Sequence, residues 1–226
     1  MSAVEQDRYL TESDSGLQIE NYLTGESPEV MTKIFQEHIN VAVFERSLSP
    51  EIESYCQALI ESGSQLNIRH AIVPEKCRDS LQSSLPDLTG KAAFVEDVAL
   101  LVDMYSYLFE LSEVGLRLQV LDRAMCPRFH IDKLGCRLVS TYLGKGTQWL
   151  SNRDVDRTKL GKGNKGLSDD ESGIICGSKI IQEVDKGDVV LLKGEGWFGN
   201  EGLGAVHRSP AVPKGEKRLV VTMDFA

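Results

Sequence analysis

Hydrophobic positions follow a helical period over Lys91 to Ser112 and a strand period after Gly115. In the first stretch Phe94, Val98, Leu101, Val102, Tyr105, Leu108 and Phe109 recur at three- and four-residue intervals. That spacing stacks them on one face of a helix and assigns its aromatics to core packing. In the second stretch Leu116, Leu118 and Val120 alternate with Arg117 and Gln119, the mark of a half-buried strand. Upstream, Ile39 to Phe44 and Asn67 to Val73 predict short strands. Ser49-Pro50-Glu51 predicts a helix start with Ser49 as N-cap, running through Tyr55, Leu59 and Ile60 to Gly63. A further helix is expected over Glu75 to Leu85, closed by Pro86. From Gly115 onward, short strands are expected at 115–123, 126–132, 136–143, about 173–183, 187–193, 203–208 and 217–225. Many short strands separated by glycine-rich turns suggest a closed or double-sheet β architecture. The expected organisation is α+β: a polar arm over 1–28, a mainly helical region over 29–113, and a β region over 114–226.

Composition adjusts this picture in a few places. The chain of 226 residues carries a net charge of -9, which argues against nucleic acid or an anionic membrane surface as partner and leaves a small molecule or a protein as substrate. No run approaches the roughly 18 apolar residues that span a bilayer. The acidic, polar start from Met1 to Asp14 is unlike a signal peptide. Five scattered cysteines without a CxxC pair suit a reducing compartment, so a cytoplasmic location is expected.

The candidate chemistry begins at Arg128-Phe129-His130-Ile131-Asp132. If this is a strand end, His130 and Asp132 share one face and Ile131 takes the other, which is the spacing for two ligands on one metal ion. A third ligand is expected far along the chain, and His207 follows the apolar strand Val189 to Leu192. Two histidines and one carboxylate leave coordination positions open and form the ligand set of non-haem Fe(II) oxygenases. Arg218 lies eleven residues after His207, on the final strand, where Arg218, Val220 and Thr222 share a face. A guanidinium there would bind a dicarboxylate cosubstrate bidentately. His38 and His70, in the helical region, are read as structural or surface residues.

Taken in order, Leu118-Gln119-Val120, His130-x-Asp132, Arg137, Thr141-Tyr142-Leu143-Gly144, Gly146-Thr147, Gly187-Asp188-Val189-Val190-Leu191, His207 and Arg218 resemble the 2-oxoglutarate- and Fe(II)-dependent dioxygenase superfamily, in its prolyl-hydroxylase-like branch. The resemblance covers about residues 115–226. It implies a double-stranded β-helix (jelly-roll) with helices packed outside. It implies His130, Asp132 and His207 as catalytic iron ligands and Arg218 as the partner of the distal carboxylate of 2-oxoglutarate. It further implies an oxidoreductase that couples conversion of 2-oxoglutarate to succinate and carbon dioxide with C–H oxidation of a substrate. Tyr142 either donates to 2-oxoglutarate, as a tyrosine does in some relatives, or packs in the core. The chain departs from the pattern at Val220, where many relatives carry a hydroxyl that also binds the cosubstrate. The whole chain is also similar to a bacterial family of unknown function whose genes often lie near zinc-responsive ones, a resemblance that implies no activity.

Other readings stay open beside this one. Cys126 and Cys136 flank the motif and could join His130 in a zinc site, giving a non-enzymatic metal-binding protein of metal homeostasis on a cupin-like barrel. Residues 152–171, rich in glycine and charge, are either a solvated loop or a lid over the site. Trp149, Trp197 and Phe198 either line a pocket or fold back onto the core. Lys133, Lys145 and Arg137 either steer an acidic substrate or are simply solvated.

Overall fold

The computed structural model describes residues 20–177 and 180–226; most of the expected polar arm lies outside them. Its strands are β1 (Tyr22–Gly25), β2 (Val41–Phe44), β3 (Asn67–Ile72), β4 (Val114–Leu121), β5 (Cys136–Leu143), β6 (Gln148–Leu150), β7 (Gln182–Glu183), β8 (Val189–Lys193), β9 (Val206–Arg208) and β10 (Arg218–Phe225). The helices are α1 (Pro50–Glu61), α2 (Cys77–Ser84), α3 (Lys91–Phe109) and the single turn α4 (Asp169–Ser172). The chain is a mixed α/β protein built around a seven-stranded sheet in the order β1-β2-β8-β5-β10-β4-β3. All its pairings are antiparallel except β1 with β2. A second sheet has the order β7-β6-β9.

Local signals account for the helices. Ser49 accepts the N–H of Ile52 and Pro50 occupies the first turn of α1, while Gly63 adopts a φ of +73° just past its end. The apolar face of α3 packs Phe94, Val98, Leu101 and Tyr105 into the main core, as its period predicts. Strand alternation then sorts the large sheet into two faces. Leu116 and Leu118 of β4, Leu138 and Tyr142 of β5, Leu191 of β8, and Leu219, Val221 and Met223 of β10 face the helices. Val41, Val43, Val139, Val190, Leu192 and Val220 face the other way and pack against Trp149, Val184 and Ala205 of the small-sheet side. The molecule is therefore layered: helices, large sheet, small sheet. β8 is buried along its whole length because both its faces are covered, which explains the uninterrupted run Val189 to Leu192.

Three findings differ from expectation. Strands from the first 113 residues join the large sheet: β2 sits between β1 and β8, and β3 forms one edge. β1 falls inside the stretch whose composition reads as a polar arm. The expected strand at 126–132 is a loop that touches the small sheet through one bridge, His130 with His207. Pro127 in that stretch has no N–H to contribute to a ladder.

Candidate metal centre

The bridge between His130 and His207 is what brings the two imidazoles together. Each backbone N–H donates to the other residue's carbonyl at 3.0 Å, so the pair sits directly opposite with side chains on one face. The ring centroids are 4.4 Å apart. His207 is opposite Trp149 on its other side, and Trp149 packs between the sheets, so this shared face is the inter-sheet face. Asp132 arrives from the following turn. Its Oδ1 lies 3.7 Å from His130 Nε2 and its Oδ2 lies 3.5 Å from His207 Nε2. One ligand atom from each residue falls within 4.8 Å of the others. Among the described residues this is the one group of three or more His, Cys, Asp or Glu side chains so arranged.

The convergence does not come from strand geometry at Asp132. The turn carrying it rests on Gly194 and Gly196. The Asp132 carbonyl accepts the N–H of Glu195 at 2.8 Å. A Cβ on Gly194 would lie 2.1 Å from the Leu134 carbonyl oxygen and 2.8 Å from that of Asp132. One on Gly196 would lie 2.5 Å from the Lys133 carbonyl oxygen. The glycines that read as a loop tip in the sequence are thus a seat for the Asp132 turn.

Hydrogen bonds place the Nδ1 hydrogens of both histidines. His130 Nδ1 faces the Arg128 carbonyl and His207 Nδ1 faces the Ala205 carbonyl, each at 3.0 Å. A carbonyl only accepts, so both Nδ1 atoms carry a hydrogen, and a neutral ring at either position has its lone pair on Nε2. Burial pushes His207 down to about 4, the nearby His130 pushes the same way, and Asp132 opposes them. At neutral pH its ring is uncharged. Asp132 Oδ2 is buried and accepts no hydrogen bond, although the Arg137 guanidinium lies 2.7 Å away. The Nε2 atoms of both imidazoles therefore face the Asp132 carboxylate. That donor set fits a divalent cation, and the Nδ1–carbonyl bonds are the outer-shell contacts that orient histidine ligands.

Further contacts hold the three side chains in place. Arg137 reaches Asp132 with Nη1 while its Nε and Nη2 donate to Asp224 at 2.7 and 3.1 Å, and Arg117 bonds the same Asp224 carboxylate. Arg137 is thus held within the site by Asp132 and Asp224. Residues 152–171 form short turns and α4, and flank the outer face of the small sheet, where Val155 packs with Phe129, Leu150, Ile174 and Val206. From α4, Asp169 Oδ2 accepts the N–H of Phe129 at 3.1 Å and a guanidinium N–H of Arg208 at 2.8 Å. Phe129 precedes His130 and Arg208 follows His207, so one carboxylate ties both histidine segments together. No motif marks Asp169 in the sequence.

Arg218 opens β10 on the same inter-sheet face as Val220, and is 3% exposed. Its Nε donates to the Lys145 carbonyl at 2.7 Å, and its Nη2 donates to the hydroxyls of Thr141 at 2.8 Å and Thr147 at 3.2 Å. No carboxylate among the described residues lies within ion-pair distance. Burial lowers it to about 10, with Glu183 opposing, so it stays a cation at neutral pH. A buried guanidinium held only by neutral oxygens fits an anionic ligand. Position 220 carries valine, and the hydroxyls beside this guanidinium come from Thr141 and Thr147.

Tyr142 is elsewhere. It lies on the helix-facing side of β5, where its hydroxyl donates to Asp97 of α3 and its ring packs on Phe94. It cannot reach a ligand between the sheets, and the core-packing alternative describes it. The cysteine route to zinc is not assembled either. Cys136 is buried toward the helices and Cys126 is exposed, and neither joins the histidine–aspartate group. Trp149 is buried in the inter-sheet cluster, and Trp197 folds back onto Phe35 and Phe109 under the Lys193 ammonium; Phe198 is exposed. His38 and His70 are exposed, the latter beside Ser80.

Residues 25–224 match the family described as Protein of unknown function (DUF1826). The chain belongs to that family. No curated protein matches it. Among solved structures, the rice dioxygenase for auxin oxidation is 11% identical, with a TM-score of 0.47 over 90% of this chain and 82% of its own. Its counterpart from Arabidopsis thaliana, in a complex with 2-oxoglutarate, is 11% identical, with a TM-score of 0.48 over 90% and 91%. A prolyl-4-hydroxylase from Pseudomonas putida is 13% identical, with a TM-score of 0.40 over 87% and 96%. Likeness at this level carries no argument about chemistry, which rests on the side chains above. Among the described residues no helix is long and apolar enough to cross a membrane.

Proposed function

We propose that this chain is an Fe(II)- and 2-oxoglutarate-dependent oxygenase, with residues 114–226 carrying the site on a double-stranded β-helix and residues 29–113 supplying the helical layer. The observation that carries the reading is the pairing of two things in one inter-sheet space. One is the His130–Asp132–His207 group, whose imidazole Nε2 atoms face the carboxylate; the other is Arg218, a buried cation without a carboxylate partner among the described residues. The order β4-β10-β5-β8 in one sheet, facing the His130 bridge, β9, β6 and β7, supports the jelly-roll.

His130, Asp132 and His207 would hold the ion, with Arg137 and Asp169 keeping the carboxylate and both histidine segments in place. Arg218, with the Thr141 and Thr147 hydroxyls, would take the distal carboxylate of the cosubstrate and orient it. Val139, Val190, Leu192 and Val220 keep the adjoining inter-sheet space apolar, which strengthens each polar contact made there. Bound at the three side chains, ferrous iron with 2-oxoglutarate and dioxygen supplies oxidative C–H chemistry, releasing succinate and carbon dioxide.

The test uses protein purified without oxygen, loaded with Fe(II) and 2-oxoglutarate, then exposed to air. Succinate should form, and His130→Ala should abolish both metal binding and succinate. Wild-type protein that takes up Fe(II) yet neither binds 2-oxoglutarate nor yields succinate overturns the reading.

A further inference from the structure

One buried hydrogen-bond donor between the sheets has no acceptor. Trp149 is 3% exposed, and its indole Nε1–H meets no partner among the described residues. A buried donor left unpaired is unfavourable, and native structures normally satisfy such groups with protein, water or ligand. Its place in the fold narrows what that acceptor is. Trp149 stands directly opposite His207 across the β6–β9 ladder, on the inter-sheet face. Thr147 lies two residues earlier, at the entrance to β6, and its hydroxyl holds Arg218 at 3.2 Å. Along an extended chain, residues two apart project to the same side and are separated by roughly 6.6 Å. This one segment therefore bridges the two ends of the site: Thr147 touches the anion-binding guanidinium, and Trp149 neighbours the metal group. A ligand stretching from Arg218 to the metal group runs past Trp149. At the metal end both histidine Nδ1–H groups serve backbone carbonyls, and the Thr141 and Thr147 hydroxyls lie at the Arg218 end.

We infer that Trp149 is a cosubstrate-binding residue, donating its indole N–H to an oxygen of a 2-oxo dicarboxylic acid that spans from Arg218 to the metal group. This rests on the oxygenase reading above. It adds a contact made by a residue that would otherwise count only as part of the apolar inter-sheet cluster. The donor is neutral and single, so it sets the orientation of the ligand's near end while Arg218 supplies the charge at the far end.

The indole N–H itself provides the test. The chain has two tryptophans, so Trp197→Phe leaves Trp149 as the only indole resonance in a nitrogen-15 spectrum. The protein is loaded with Zn(II), which is diamagnetic and holds the site without turnover, and 2-oxoglutarate is then added. The Trp149 N–H resonance should move downfield and exchange more slowly with solvent. In parallel, calorimetry on Trp149→Phe, which retains the ring bulk and removes the donor, should show 2-oxoglutarate binding weakened about tenfold with Zn(II) affinity unchanged. An unmoved resonance while calorimetry records 2-oxoglutarate binding to the same sample overturns the assignment. So does a Trp149→Phe variant with wild-type 2-oxoglutarate affinity, or one that loses metal and 2-oxoglutarate affinity in equal measure, which marks a packing role alone. Wild-type protein that binds Zn(II) but no 2-oxoglutarate is a different result, and it removes the cosubstrate reading and this contact together.

Discussion

Removing the Asp169 carboxylate should loosen both histidine segments at once. The side chain is 8% exposed and accepts two hydrogen bonds, from the Phe129 N–H at 3.1 Å and from Arg208 at 2.8 Å. In Asp169→Ala the buried Phe129 amide loses its acceptor. Arg208 keeps only its bond to Gln148 at 2.8 Å and its place 4.3 Å above the Phe129 ring. Hydrogen bonds to a charged group are worth about 1.5–3 kcal/mol each, and breaking one partner of a buried pair costs about 3–5 kcal/mol. Arg208 retains some exposure, which places the expected loss near the lower end, about 3–4 kcal/mol. For a chain of this length that corresponds to a fall in Tm of about 6–16 °C. Because Asp169 orients the segments carrying two of the three proposed ligands, metal affinity should fall about 10- to 100-fold. Asp169→Asn, which keeps an acceptor oxygen, should lose roughly half as much stability. The assay is a calorimetric melt of each variant, followed by Zn(II) titration against a competing chelator. A Tm within about 2 °C of wild type would falsify the anchoring role. A lowered Tm with unchanged Zn(II) affinity would leave Asp169 as a packing residue unconnected with the metal group.

Three further outcomes are expected. Gly194→Ala puts a Cβ 2.1 Å from the Leu134 carbonyl oxygen, so the Asp132 turn must move; the fold should persist by circular dichroism while Zn(II) affinity drops at least about tenfold, and wild-type affinity would count against the glycine seat. Thr147→Val removes one of the three acceptors on Arg218 and should weaken 2-oxoglutarate binding about three- to tenfold by calorimetry, with metal affinity unchanged; equal binding would mean the hydroxyl does not help orient the guanidinium. Tyr142→Phe removes the hydroxyl that donates to Asp97 but leaves the Arg46–Asp97 pair, so denaturant melts should show a loss of about 1–2 kcal/mol and 2-oxoglutarate affinity should not change; a weakened cosubstrate would return Tyr142 to the site.

Elements whose information is local could be read from the chain alone. The Ser49-Pro50 start of α1, the helical period of α3, and the alternation through β4 and β10 all appear in the structure, because neighbouring residues and a repeating face suffice to specify them. The membership of the His130, Asp132 and His207 group was legible too, since few side chains bind metals and the chain has only four histidines. How the first pair meets was not: His130 and Asp132 come together through a bridge to β9 and a turn seated on Gly194 and Gly196, with no strand between them. Alternation shows that Thr141 and Tyr142 face opposite ways, yet it does not say which way is inward. That depended on α3 covering one side of β5 and the small sheet covering the other, which put Tyr142 on Asp97 and Thr141 on Arg218. Asp169 and Thr147 make their contacts with partners dozens of residues away, so nothing in their local sequence assigns those contacts. A sequence records which groups the chain owns and how often a face repeats; only packing decides which distant groups share a low-dielectric space, where an unpaired lone pair, cation or N–H must find a partner.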